Sequence, residues 1–426
     1  MKVSLITMGC AKNTADSEHL KAVLESHGHS VSDDVNGSQC AIINTCGFIQ
    51  DAVKENIDAI LELERLKDDG FIKILIVAGC LVNRYEKELR QELPTVDLFA
   101  RCEEWQKIAD FLGGSVNKNC PTISPVSQNY HSRYIKISEG CDSACSYCAI
   151  PSIRGGLRSV PLKRVIDEAM IMCSAGAKEL CLVGQDLTAY GRDTGSSLQE
   201  LVSEINRSVP SGTWLRLLYL HPNRVNERLI DFLLTQDKVL HYLDIPVQHS
   251  ESGILTRMNR PCDDGYLRRI FGYIRELDPL FALRTTIMTG FPGETDEDFG
   301  RLMDFVSDVE FDRLGAFVYS PEEGTKAATF TGKVSKKTAE SRCNRLMSLQ
   351  SEISQERSEL FIGRELDVLV EEVDEEAGES WGRSFRDAPE VDGLVGINES
   401  LKPGEVKRVV IYDSDENDLF GDVKVK

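Results

Sequence analysis

The chain has 426 residues, 41% of them apolar, which is enough for two to four domains with their own cores at roughly 150 residues each. Its 69 Asp and Glu outweigh 49 Lys and Arg, giving a formal net charge of −20. That acidity argues against a generic binder of nucleic acid or anionic membrane, both of which need clustered cations.

The first residues reach Lys12-Asn13 too soon for a secretory h-region, and the longest apolar run, 74–82, is nine residues, about half a membrane span. The chain therefore reads as soluble and cytoplasmic, with no membrane partner. Thirteen cysteines, an odd number spread over a long chain, make a poor disulfide framework. Metal or cluster chemistry is the better default.

Residues 1–112 alternate β-branched runs at 3–8, 41–45 and 74–78 with amphipathic stretches at 14–27, 50–67 and 83–93, the pattern of a parallel sheet covered by helices. A polar stretch over 113–130, with Gly113-Gly114 and Pro121 and Pro125, reads as a linker. A second β/α series fills 131–359. Its strands are expected at 134–138, 180–183, 215–220, 242–247, 284–289 and 314–320. Helices are expected between them at 161–174, 197–208, 226–235, 263–277 and 295–307, with a long one at 335–359. Six strands each followed by a helix suggest a (β/α)6 partial barrel whose site lies at the carboxyl ends of the strands. Residues 360–426 change period. Short strands at 366–370, 394–397 and 406–411, separated by turns, fit a small antiparallel β-barrel. The fold class is multidomain α/β.

Cys141, Cys145 and Cys148 stand in a CxxxCxxC spacing just after a strand and Gly140. Three thiols so placed can bend around one corner of a cubane and leave the fourth iron open. A zinc site completed by a distant His or Cys is the alternative, although structural zinc sites usually pair two Cys-x-x-Cys hooks. Cys10, Cys46 and Cys80 each follow a predicted parallel strand of the first domain. Carboxyl ends of neighbouring strands are where ligands bind in an open α/β sheet, so these three thiols can converge as a second cluster site. Taken singly, each could be a buried core thiol. Cys40, Cys102, Cys120, Cys173, Cys181, Cys262 and Cys343 show no such pattern and are assigned no chemistry. His131, His221, His241 and His249 read as hydrogen-bonded structural residues more readily than as acid–base groups.

The three-cysteine spacing with Tyr147 before the last Cys resembles the radical S-adenosylmethionine superfamily. Further strings narrow the likeness: Gly9-Cys10-Ala11-Lys12-Asn13 with Asp16-Ser17-Glu18, Cys148-Ala149-Ile150-Pro151-Ser152-Ile153-Arg154-Gly155, and Gly382-Arg383-Ser384-Phe385-Arg386-Asp387-Ala388-Pro389-Glu390-Val391-Asp392-Gly393. With the three-part order, they resemble the methylthiotransferase family over essentially the whole chain, and within it the branch that modifies a ribosomal protein. The transfer-RNA branch typically carries Gln after the first Cys.

The resemblance implies two 4Fe-4S clusters, one on Cys10, Cys46 and Cys80 holding an exchangeable sulfur, the other on Cys141, Cys145 and Cys148 cleaving S-adenosylmethionine. Two molecules of S-adenosylmethionine are used per turnover. It also implies a terminal TRAM-like barrel, and as substrate the β-carbon of an aspartate in basic protein twelve of the small ribosomal subunit. A flavodoxin- or ferredoxin-type electron donor is the family expectation. Less specific strings add Gly184-Gln185, Gln248 and Arg284, with Tyr147, as candidate cofactor contacts. From Leu360 to Lys426, 8 Lys and Arg face 18 Asp and Glu, a net of −10. Such a segment repels a phosphate backbone and attracts a basic protein, which argues against direct RNA binding and against a transfer-RNA substrate, the rival of the same reaction class. A non-catalytic zinc-binding interaction protein is the rival of a different class.

Overall fold

The computed structural model describes residues 1–114 and 131–424. Most of the expected linker, and Cys120 within it, lies outside the described residues.

The first unit is a five-stranded parallel sheet in the order β2-β1-β3-β4-β5. Its strands are β1 (Lys2–Thr7), β2 (Ser30–Ser32), β3 (Cys40–Thr45), β4 (Ile74–Gly79) and β5 (Leu98–Ala100). Central β3 and β4 read as continuous apolar runs because both of their faces are covered. One face packs against α1 (Ala11–Ser26), with Leu20 and Leu24 in the core beside Trp105 and Ile108. The other packs against α2 (Gln50–Asp68) and α3 (Cys80–Glu92) through Ile60, Leu63, Leu81 and Leu89. α4 (Trp105–Leu112) completes the unit. The sequence reading missed β2, β5 and α4, which are short.

The second unit begins with β6 (Ser132–Lys136) and a ribbon of β7 (Ser138–Glu139) and β8 (Arg158–Ser159) that brackets the CxxxCxxC loop and α5 (Ile150–Arg154). Then α6 (Leu162–Ser174), β9 (Glu179–Val183), α7 (Leu198–Ser208), β10 (Trp214–Leu217), α8 (Glu227–Leu234) and β11 (Val239–Asp244) follow. After α9 (Ser252–Arg257) and α10 (Asp264–Leu277) come β12 (Ala282–Thr289), α11 (Asp296–Val309), β13 (Arg313–Val318) and the closing α12 (Lys336–Glu359). The six long strands form one parallel sheet in the order β13-β12-β11-β10-β9-β6, the expected (β/α)6 arrangement.

The third unit is a closed barrel in the order β14-β15-β16-β18-β17. Its strands are β14 (Glu365–Asp374), β15 (Glu379–Arg383), β16 (Val395–Ile397), β17 (Val406–Ser414) and β18 (Leu419–Val423). Four of its pairings are antiparallel, but closure makes β16 and β18 parallel. β15 and β18, absent from the sequence reading, are the strands interrupted by Gly382 and Gly421. At Gly382 a Cβ would meet Leu369 O at 2.4 Å, so the close strand approach itself selects the residue that hid the pattern.

The hollow of the partial barrel is filled by its neighbours. Ala15 of α1 and Ala388 of the third unit pack with Tyr134, Cys181, Leu218 and Tyr242. The 383–393 string, which carried part of the family likeness, is therefore an interdomain plug. Asp387 pairs with Arg313 at 2.6 Å, and Asp392 accepts from Tyr242 Oη at 2.7 Å and from Arg284 Nε at 3.2 Å. No helix among the described residues is long and apolar enough to cross a membrane.

Candidate active site

Cys10, Cys46 and Cys80 do converge. Cys10 is the N-cap of α1, Cys46 follows β3, and Cys80 opens α3 directly after β4. Two of the three thus sit at helix amino ends. Asn13 braces the turn by donating to Met8 O at 2.7 Å and Thr45 O at 3.0 Å, and Asn56 accepts from Cys46 N at 2.9 Å. Burial pushes the Cys46 thiol up to about 11. Cys80 moves the other way, to about 7, because the Cys102 thiol donates to it and Arg154 faces it, against the effect of burial. The Cys102 and Cys80 sulfurs lie 3.9 Å apart.

Cys141, Cys145 and Cys148 lie on a loop pinned at its centre. Ser146 N donates to Met258 O at 2.9 Å, Ser146 Oγ to Arg257 O at 2.7 Å, and Ala327 N to Ser146 O at 2.7 Å. The sulfurs receive N–H donors: Ser143 N on Cys141 at 3.3 Å, Ile150 N on Cys148 at 3.4 Å, and Arg260 Nη1 towards Cys145 at 3.7 Å. Hydrogen bonds of this kind tune the sulfurs of iron–sulfur sites. Burial pushes Cys148 up to about 12, so binding of a metal centre here displaces a proton from a thiol. No three His, Cys, Asp or Glu among the described residues are gathered as a site for one metal ion. A cubane places each cysteine on a different iron and so asks for a wider spacing than ligands of a single ion.

All six cysteines line one cavity of about 920 Å3 between the first two units. Tyr147, Gln185 and Gln248 line it with them. Tyr147 Oη receives Arg260 Nη1 at 3.2 Å, and Gln185 donates to Glu139 at 3.1 Å. The side-chain oxygens of Gln185 and Gln248 are buried without a hydrogen-bond partner among the described residues. Two expected contacts do not reach the cavity. A Cβ on Gly184 would face Ser138 Oγ at 2.7 Å, and Arg284 is held by Asp244 and Asp392 at 3.1 and 3.2 Å. Arg284 lies near the start of β12, at the plugged end of the barrel, which is why it meets the third unit instead of a cofactor. His249 is fully buried and depressed by burial to about 3, and His241 is exposed and paired with Asp278 at 2.7 Å, in keeping with structural roles.

A buried charge network runs from Cys80 across to Glu139, two residues before Cys141. Arg154 Nε lies 3.1 Å from Cys80 Sγ, its Nη2 donates to Asn13 Oδ1 at 2.7 Å, and its Nη1 reaches Asp16 at 3.2 Å and Glu139 at 3.0 Å. Lys136 pairs with the same two carboxylates. Burial would push Glu139 up, but Lys136 and Arg154 outweigh it and hold it at about 2.

Profiles for the uncharacterized protein family UPF0004, the radical SAM superfamily and the TRAM domain match residues 2–100, 135–306 and 362–423. The chain is 39% identical to the ribosomal protein uS12 methylthiotransferase RimO of Geotalea uraniireducens, covering 99% of this chain and 98% of that one. It is 41% identical to the protein of the same description from Thermotoga sp. strain RQ2, covering 99% and 100%. The chain belongs to the RimO methylthiotransferase family. At the level of fold, it resembles the radical S-adenosylmethionine methyltransferase TsrM of Kitasatospora setae, with a TM-score of 0.53, 16% identity and 74% of each chain covered. The cobalamin-dependent radical enzyme OxsB is similar at a TM-score of 0.53 and 12% identity, over 76% of this chain and 54% of that one.

As a RimO-family protein the chain is a radical S-adenosylmethionine methylthiotransferase, a class that works with a 4Fe-4S cluster and S-adenosylmethionine. The residues that sequence reasoning left without a role are Asn13, Arg154, Arg260 and Cys102. Asn13 and Arg154 stood inside the quoted strings, but only the fold shows Arg154 crossing to Cys80. Arg260 and Cys102 carried no sequence signal.

Proposed function

We propose that the chain methylthiolates the β-carbon of an aspartate in ribosomal protein uS12, with one 4Fe-4S cluster on Cys10, Cys46 and Cys80 and a second on Cys141, Cys145 and Cys148. The observation that carries this reading is the presence of both cysteine sets in one cavity of about 920 Å3. An aspartate β C–H is too weakly acidic for a side-chain base, so the cofactors supply the radical, the methyl group and the exchangeable sulfur. Two molecules of S-adenosylmethionine serve each turnover. The chain binds, orients and excludes water. Tyr147, Gln185 and Gln248 are the contacts we assign to S-adenosylmethionine, the unpartnered amide oxygens of the last two offering acceptors for its ammonium group. Functional units at 1–112, 131–359 and 360–426 follow, and the protein works in the cytoplasm with a flavodoxin- or ferredoxin-type donor.

A basic protein substrate is supported by the third unit. Its two buried cations, Arg383 and Arg386, are matched by two buried carboxylates, Asp387 and Asp392, so burial leaves the negative balance of the unit unchanged. Glu372, Asp374, Glu375, Glu376, Asp413 and Glu416 are exposed there. Such a face attracts a cationic partner and repels a phosphate backbone.

Mass spectrometry of uS12 from a strain lacking the chain should show loss of one methylthio group, restored by complementation. An unchanged uS12 mass, with methylthio groups missing from transfer RNA, would overturn the substrate. The two-site arrangement has its own check at Gly140, where φ is +71° and a Cβ would lie 2.1 Å from Gly156 O. Left-handed backbone costs an alanine about 1–2 kcal/mol before that clash is counted. Gly140→Ala is expected to lower iron and sulfide per chain towards one cluster after anaerobic reconstitution; wild-type content would refute it.

A further inference from the structure

The charged side chains around the cavity can be accounted for one by one. Glu322 accepts from Arg84 Nη2 at 3.0 Å and from Gln50 N at 3.1 Å. Arg260 donates to Pro246 O at 2.6 Å and to Tyr147 Oη at 3.2 Å. Lys336 faces Glu340 at 3.7 Å, and Asp51 and Lys333 are exposed. Lys12 is different. It lines the cavity from the first turn of α1, and it forms no ion pair among the described residues. Its Nζ stands 3.9 Å from the centroid of the Tyr219 ring.

Tyr219 comes from the other unit, just after β10, and holds a left-handed backbone at φ +66°. Strain of that kind in a non-glycine residue persists only where the surroundings enforce it, and it collects at functional sites. Here Asp244 Oδ2 accepts from Tyr219 N at 3.1 Å, and Tyr219 O accepts from Leu187 N at 3.1 Å. The ring thus fixes an ammonium group beside Cys10 while accepting none of its three protons as a carboxylate would.

We propose that Lys12 anchors the carboxylate of the substrate aspartate and makes the site select Asp over Asn; this rests on the aspartate reading above. The chemistry suits the task. The carboxyl carbon is bonded directly to the β-carbon, so fixing the carboxylate leaves the reacting C–H only a rotation to settle. An amide offers one neutral acceptor in place of an anion, and charge-assisted bonds are roughly twice as strong.

The test uses the anaerobically reconstituted full chain and two synthetic uS12 peptides that differ only in Asp or Asn at the modified position. Wild type should bind the Asp peptide about tenfold or more tightly than the Asn peptide. Lys12→Met should erase most of that ratio, raising KM for the Asp peptide more than it lowers kcat. Lys12→Arg should restore part of the ratio, because it returns the charge. Iron and sulfide content are measured on both variants to establish that they carry their clusters. A Met variant with full iron content and an undiminished Asp-to-Asn ratio overturns the proposal. So does one whose only change is weaker S-adenosylmethionine binding or an altered cluster EPR spectrum. If the wild-type chain leaves the Asp peptide without a methylthio mass shift, the substrate reading itself fails, and the proposal with it.

Discussion

Glu179→Ala is expected to destabilise the protein by about 3–5 kcal/mol, the cost of breaking a buried ion pair from one side. Glu179 opens β9, is fully buried, and takes Arg216 Nε and Arg383 Nη2 at 2.6 Å each. Ser132 Oγ donates to it at 2.7 Å. Arg216 is itself fully buried and donates to Phe385 O at 2.8 Å, so removal of the carboxylate strands its guanidinium at the junction with the terminal barrel, whereas Arg383 keeps Glu371 at 2.6 Å. Burial alone would push Glu179 up, but Arg383 and Arg216 outweigh it and hold it at about 2, below the ordinary 4.5. A depressed carboxyl stabilises the fold fully above about pH 4.5, and that contribution is lost as pH falls towards 2. At about 1.4 kcal/mol per pKa unit the linkage is on the order of 3 kcal/mol, in line with the mutational figure. Denaturant unfolding of wild type and variant at pH 7 and pH 4 checks both parts. The gap should narrow in acid, and a difference under about 1 kcal/mol at pH 7 would show that the junction does not depend on this residue.

The second large effect separates the two cysteine sets. Cys148→Ala should abolish formation of 5′-deoxyadenosine, because the chain loses what we propose as a cluster ligand in the loop pinned by Ser146, and methylthio transfer should vanish with it. Cys46→Ala should also abolish methylthio transfer yet leave 5′-deoxyadenosine formation in place, since Cys46 N donates to Asn56 of the first unit and, among the described residues, no hydrogen bond from Cys46 enters the CxxxCxxC loop. Chromatography of the nucleoside product and mass spectrometry of uS12 read the two activities independently. Loss of nucleoside formation in both variants would mean that the division of labour between the sites is wrong.

Much of this was legible in the primary structure. β3 and β4 announced themselves as β-branched runs, and the six barrel strands fell within a few residues of expectation because each is apolar and bounded by turn residues. Cys10, Cys46 and Cys80 could be placed together because strand ends of a parallel sheet share an edge. What stayed hidden depends on contacts between units. Arg284 looked like a cofactor ligand at a strand, and nothing local says that Asp392, 108 residues later, takes it. Cys102 follows a three-residue edge strand too short to register. The 383–393 string read only as a family signature, and nothing local says that its arginines and aspartates close the barrel from behind.

Arg154 gives the molecule a further property. It is the last residue of α5, which follows directly on the CxxxCxxC loop, and it reaches Cys80 and Asp16 of the first unit. Part of the surroundings of the amino-terminal cysteines is thus supplied by a different unit. A fragment ending before β6 keeps all three thiols and loses the guanidinium that draws one of them towards its anion. The polar surroundings of Cys80 are therefore complete only once the second unit is folded and docked against the first.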